Sequence, residues 1–337
     1  MILTNIETKI ILEKEEKKEE EKKEKEEKEE KEEKEKEEKK EEEKKEKEEK
    51  EEKKEKEEKN DKPKINYDTL VLSGGGTKSI LTIGAIQCAY DNYLLQNVTN
   101  YVGTSAGAII CFLLIIGYTP IEIIVFICKH QIMEKLQYFN ILEMIHGCGA
   151  LQYSTIQEHL EKMTIAKIGY LPTLLDLKNN FNKSLICITY NLTKGKAEYL
   201  SSETYPNLPC ITALRMSSNL PLIFEKYKYG NNFYIDGGII DNFGIDFGDK
   251  IGNKILGLQI HNKIENFSND MDIVEYIYKL IFIPISQHQQ MKLQNISEKC
   301  TIVTLECSNI TFFNFNVNSK TKLDIFSTGY NQFQQTL

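Results

Sequence analysis

Apolar positions along this chain of 337 residues fall into two regimes. Residues 13–59 contain none, whereas from residue 66 onward they recur with the periods of packed secondary structure. Residues 67–72 (YDTLVL) read as a short strand that runs into Ser73, Gly74, Gly75 and Gly76. Ile80, Ile83, Ala85, Ile86 and Ala89 then share the spacing of one helix face, which predicts a helix over about residues 79–96. Residues 100–102 predict a second short strand, followed by a tight turn and an apolar helix from Ala106. Strand, loop, helix, strand, turn, helix is the pattern of an α/β sheet with parallel crossovers.

Further along, residues 183–190 (KSLICITY), 196–200, 232–235, 254–260 (KILGLQI) and 301–305 read as strands, and residues 211–217 as a short helix. Residues 272–298 read as helix with a break at Pro284, because proline removes one helical hydrogen bond and crowds the preceding turn. The segment after Cys307, rich in Asn, Phe and Thr, has no assignable period.

Residues 108–128 (AIICFLLIIGYTPIEIIVFIC) are apolar for about the 20 residues a bilayer span needs. Gly117, Thr119, Pro120 and Glu122 interrupt them at the centre, where a proline soon after a glycine reads as one helix ending and the next beginning. Two buried helices are therefore expected here, filling a core rather than lining an acyl pocket.

Charge follows the same division as hydrophobicity. Residues 13–59 hold 27 Glu and 20 Lys, a net −7 of the chain's −8. The remainder carries 23 basic and 24 acidic side chains and is roughly 46 % hydrophobic, a composition that can bury a full core. Without a basic field it is not expected to bind nucleic acid. Eight dispersed cysteines with no CxxC pair predict a reducing compartment and no zinc site. Residues 1–12 lack the basic start and cleavage site of a secretory leader, so an intracellular, cytoplasmic protein with peripheral membrane contact is expected.

The Glu/Lys tract has no apolar seam for a coiled coil. Within it 14 Glu have Lys four residues on and 11 have Glu there, which supports a partly helical spacer. Its acidity argues against a tether to anionic membranes. The expected organisation is a short N-terminal segment (1–12), the tract (13–59), a linker with Pro63 (60–66), a catalytic core (67–248) and a C-terminal part completing the domain (249–337).

Three turns carry candidate chemistry. Gly103, Thr104, Ser105, Ala106 and Gly107 make a G-x-S-x-G between a predicted strand and a predicted helix, the context of a nucleophile elbow. Ser73 to Lys78 (SGGGTK) also joins a strand to a helix, and its glycines let backbone amides approach a ligand. It is not a P-loop, since Leu72 and Thr77 stand where that motif needs glycine, nor a dinucleotide fingerprint, since Ser79 does. The third turn is Asp236, Gly237, Gly238, Ile239, Ile240, Asp241 and Asn242, after a short apolar strand. Its first aspartate could serve as a general base for a serine, or could be a turn residue capping its own backbone.

Together these turns resemble the patatin-like phospholipase family, which combines a glycine-rich oxyanion loop, a G-x-S-x-G elbow and a D-G-[GA] motif. The likeness covers about residues 67–248, including the Gly117 to Pro120 turn and residues 214–221 (LRMSSNLP), and weakens towards about residue 305. It implies a three-layer α/β fold with a mostly parallel sheet and a lipid acyl hydrolase that uses a Ser-Asp dyad and no cofactor or metal. Residue by residue it implies Ser105 as nucleophile, Asp236 as base, and Gly74, Gly75 and Gly76 as the oxyanion hole, supported by Gly103, Gly107, Gly237 and Gly238. Its substrate would be a phospholipid or other acyl lipid at a membrane surface. Two departures stand out: Ser79 replaces the glycine that usually closes the oxyanion loop, and Gly244 replaces a frequent proline. Lys78 matches a basic position that either orients the loop, meets a lipid phosphate or is simply solvated. The alternatives are a Ser-Asp-His hydrolase using His261, which stands in the right chain order, and an inactive lipid-binding protein.

Overall fold

The computed structural model describes residues 66–130, 151–261, 273–307 and 317–337. The chain divides into two units, Met1–Lys64 and Ile65–Leu337. The expectations for the Glu/Lys tract and the segment before it lie outside the described residues.

The second unit is built on one eight-stranded sheet. Its strands are β1 (Thr69–Leu72), β2 (Asn100–Thr104), β3 (Ser184–Asn191), β4 (Lys196–Leu200), β5 (Tyr227–Tyr229), β6 (Asn232–Asp236), β7 (Ile255–His261) and β8 (Cys300–Glu306), in the order β5-β6-β3-β2-β1-β7-β8 with β4 added to β3. Strands β3, β2, β1, β7 and β8 run parallel, and β4, β5 and β6 join antiparallel. The helices are α1 (Ser79–Asp91), α2 (Ala106–Ile115), α3 (Pro120–His130), α4 (Ser154–Ile168), α5 (Leu174–Phe181), α6 (Cys210–Ser218), α7 (Ile245–Ile251), α8 (Ile273–Leu293) and α9 (Ser319–Gln334).

Strand alternation sorts the apolar side chains into two cores. Leu70 and Leu72 of β1 and Leu256 and Leu258 of β7 enter the larger core with α1 and α2, whereas Val71, Val102 and Ile255 enter a smaller one with Phe243 and Ile245. Helix, sheet and helix are thus the three layers, and parallel strands covered on both faces account for the near-continuous apolar runs.

Residues 108–128 fold as α2 and the start of α3 with a turn at Gly117, and no helix among the described residues is long and apolar enough to cross a membrane. Ile110, Cys111, Phe112, Leu113 and Ile115 are core residues, as expected. Three expectations need correction. Helix α1 ends at Asp91, several residues early. Helix α8 runs unbroken through Pro284, which removes one helical hydrogen bond without ending the helix. The unassigned C-terminal segment contains α9, capped where the Asn318 side chain accepts the Thr321 amide at 2.9 Å. It crosses α1 where Gly84 and Gly329 let the two backbones touch: a Cβ on either would strike the other helix.

Candidate active site

The three turns singled out in the sequence meet at the carboxyl edge of the sheet, and β3 explains how. On one side β3 pairs with β4 through its residues 187–191. On the other side its residues 184–188 pair with β2 and its residues 189–191 with β6, so β2 and β6 meet end to end along one edge. Ile188 is opposite Thr104 and Thr189 opposite Asp236. Two consecutive register positions therefore place the end of β2, with Ser105 next in the chain, against the end of β6.

Ser105 occupies the turn between β2 and α2 at φ 55° and ψ −125°, a conformation an L-residue adopts only when its surroundings enforce it. The enforcement is visible. Gly107 packs on the end of β1, where a Cβ would come within 2.7 Å of the Leu72 and Ser73 carbonyl oxygens. The Ser105 amide donates to the Ser217 hydroxyl at 3.0 Å, and that hydroxyl donates to the Ile188 carbonyl at 2.6 Å. Helix α2 begins immediately, with the Ala108 and Ile109 amides donating to the Ser105 carbonyl at 3.0 and 3.3 Å. The preceding amides at this helix start have no intrahelical acceptor and add their positive end to the site.

Asp236 is 1 % exposed. Its Oδ1 accepts the Gly238 amide at 2.7 Å, which caps the short 3-10 turn Gly237–Ile239 in the manner of a turn aspartate. Its Oδ2 is buried with no hydrogen-bond partner. Burial pushes the carboxyl up to about 7, against the downward pull of the Ser105 hydroxyl and the Gly238 amide. A carboxyl with that pKa can take up or release a proton near neutral pH. Gly237 makes the approach possible, because a Cβ there would strike the Ile188 carbonyl.

The glycine loop lies against the serine: a Cβ on Gly74 would be 3.1 Å from that of Ser105. Its three amides are not equivalent. The Gly74 amide donates to the Asn242 carbonyl at 3.1 Å, so of the three expected oxyanion donors this one is already engaged. The Gly75 and Gly76 amides have no acceptor among the described residues. Lys78 is 5 % exposed, which removes the reading of it as a solvated lysine.

Asn242 was quoted in the sequence motif without a role, and the structure gives it one. Its carbonyl takes the Gly74 amide and its Nδ2 donates to the Gly74 carbonyl at 3.2 Å, so one residue grips the loop in both directions. Its neighbour Asp241 is anchored on several sides. The Thr104 hydroxyl donates to its carbonyl at 3.0 Å, Tyr199 donates to its Oδ2 at 2.8 Å, and Lys292 of α8 lies 2.9 Å from its Oδ1. Nothing local in LRMSSNLP marks Ser217 as the residue that meets the elbow.

His261 ends β7 and is exposed. Ile260 points its side chain at Gly75, so the alternation of the strand turns His261 to the opposite face. No imidazole is among the groups that set the Asp236 pKa.

A sequence profile of the family described as Patatin-like phospholipase matches residues 70–248. The chain is 37 % identical over 244 residues to a protein named Probable lipid hydrolase 463L from Invertebrate iridescent virus 6, covering 70 % of this chain and 78 % of that one. It is 26 % identical over 282 residues to protein R571 of Acanthamoeba polyphaga mimivirus, covering 80 % of this chain and 93 % of that one. Among solved structures it is similar to VipD from Legionella pneumophila (16 % identity, TM-score 0.47, covering 81 % of this chain and 66 % of that one). It is also similar to the ExoU–SpcU complex of Pseudomonas aeruginosa (15 % identity, TM-score 0.46, covering 81 % of this chain and 51 % of that one). The chain thus spans about half to two thirds of those solved chains.

Proposed function

The chain belongs to the patatin-like phospholipase family, and from that premise we propose that it hydrolyses fatty-acyl esters of a glycerolipid with Ser105 as nucleophile and Asp236 as its base. The observation that carries this reading is the unpartnered, buried Asp236 Oδ2, on a carboxyl pushed up to about 7, beside a serine held in a strained turn.

In the first step Ser105 Oγ attacks the ester carbonyl while its proton passes to Asp236 Oδ2. The carbonyl electrons move onto oxygen, and the Gly75 and Gly76 amides, with the start of α2, face that negative charge. One such donor supplies on the order of 3 to 4 kcal/mol in hydrolases of this type. Collapse of the intermediate expels the alkoxide of the lipid, which takes the proton from Asp236 and departs as an alcohol. The acyl group is then bonded to Ser105. Water gives a proton to Asp236 and attacks the acyl carbonyl; collapse returns the proton to Ser105 Oγ and releases the fatty acid.

Incubating the purified protein with mixed lipids and identifying the products by mass spectrometry tests the reading. Free fatty acid and a lysolipid or partial glyceride should appear with wild type and fall at least about 10³-fold with Ser105→Ala. Equal product from both proteins would remove the catalytic assignment and leave the chain a lipid-binding member of the family.

A further inference from the structure

Esters of long acyl chains are held in aggregates, so a hydrolase that takes them from a membrane must meet its surface. The turn between β3 and β4 and the hairpin between β5 and β6 project side by side from the sheet edge that carries Ser105. They are joined into one tip: the Leu192 amide donates to the Phe233 carbonyl at 2.9 Å, and the Phe233 amide to the Thr193 hydroxyl at 2.9 Å.

At this tip Leu192, Tyr229 and Phe233 expose 52, 42 and 41 % of their surface. Lys196, Lys226 and Lys228 stand exposed beside them, with the Lys228 Nζ 5.9 Å from the centre of the Phe233 ring. Neither turn carries an acidic side chain. The acidic residues nearest in the chain are already paired, Glu198 with Lys194 at 3.3 Å and Glu225 with Arg215 at 2.6 Å. Single exposed apolar residues are ordinary. Three on adjoining turns, flanked by lysines, have the make-up of a membrane contact, in which apolar side chains enter the acyl boundary and cations meet anionic headgroups.

The tip is also in the right place. Leu192 follows Thr189, the partner of Asp236, by three residues along β3, and Phe233 precedes Asp236 by three along β6. At about 3.3 Å per residue the tip stands roughly 10 Å beyond the aspartate. Residues outside the Glu/Lys tract are nearly neutral, with 23 basic and 24 acidic side chains, so attraction to an anionic surface has to come from a local patch.

We propose that this tip docks the protein on an anionic phospholipid surface and so presents Ser105 to it. The proposal rests on the acyl-hydrolase reading for its purpose, but its test does not. The full chain is floated with phosphatidylcholine vesicles with and without phosphatidylserine. Wild type should partition at least about tenfold more onto the anionic vesicles, and moderate salt should release it.

A Lys196→Gln, Lys226→Gln, Lys228→Gln variant should lose that preference, and a Leu192→Ser, Phe233→Ser variant should lose most binding. Both should hydrolyse a dissolved short-chain ester as wild type does, which reports an intact site. Wild type that binds both vesicles equally or neither, or either variant binding anionic vesicles like wild type, overturns the tip. A wild type that binds anionic vesicles yet hydrolyses no ester leaves the tip standing and removes the acyl-hydrolase reading instead.

Discussion

Thr189 on β3 has Asp236 opposite it on one side and Glu198 opposite it on the other. The two carboxylates lie in one row across the sheet, about 10 Å apart by strand spacing, and they are buried to similar degrees, at 1 and 6 % exposure. Burial pushes Glu198 up as well. It is outweighed there by the Tyr205 hydroxyl at 2.7 Å, Lys194 at 3.3 Å and Asn191 at 3.2 Å, which hold the carboxyl below its ordinary range. Asp236 has one amide, a serine hydroxyl beside it, and one oxygen left bare, and its pKa rises to about 7. Deeper burial and fewer donors together raise the Asp236 pKa, whereas the donors around Glu198 outweigh its burial and hold it as an anion. One strand supports both because its two edges face different surroundings.

The strongest test of that contrast is Asp236→Asn. If Asp236 is the base, the substitution should lower kcat on a dissolved ester by about 10³- to 10⁴-fold. The same change should raise unfolding stability at pH 8 by on the order of 2 to 4 kcal/mol in denaturant titrations, because a buried carboxylate with a raised pKa costs the folded state once ionised. A loss of both activity and stability would make Asp236 a structural anion like Glu198.

Next in size is Asn242→Ala, which releases both holds on Gly74. It should reduce kcat by about 10- to 100-fold with KM changed less than about threefold, because the loop amides act on the transition state more than on bound substrate. A change confined to KM would place Asn242 in substrate binding.

The pH profile carries the third prediction. kcat/KM should rise about tenfold per pH unit on the acid side and level off through pH 7, as Asp236 loses its proton. For stability the sign is opposite. With a folded pKa above the unfolded one, the contribution of Asp236 is fully present below about pH 4 and is lost as pH rises towards 7. Glu198, with its pKa lowered, contributes stability above about pH 4 that is lost on acidification.

Glu198→Gln should therefore leave kcat within about twofold of wild type and cost roughly 1 to 3 kcal/mol at pH 7, a cost that shrinks in acid. The smallest effect belongs to His261→Ala, with kcat expected within about twofold of wild type. A loss of about 10³-fold there would restore a Ser-Asp-His arrangement.

Much of the molecule could be read from the chain because its determinants are local. Strand-to-helix turns need small residues, so G-x-S-x-G and the glycine run mark their own positions, and parallel strands covered on both faces are apolar throughout. Helix α5 was equally available: Thr173 and Asp176 form a capping box, the Thr173 hydroxyl accepting the Asp176 amide at 3.2 Å and Asp176 accepting the Thr173 amide at 2.8 Å. Its short apolar face gives only a brief helical period. Pro284 marks the limit of a local rule, since α8 continues through it.

The order of the three turns, the candidacy of Ser105 and Asp236 and the confinement of net charge to residues 13–59 are all written in the chain. It took the folded arrangement for Ile188 and Thr189 to bring the ends of β2 and β6 together, for Asn242 to grip a loop 168 residues away, and for Asp236 to keep one oxygen without a hydrogen-bond partner. Residue type and periodicity encode what a segment can become. Whether a buried oxygen finds a donor depends on neighbours that only strand register and packing bring within reach.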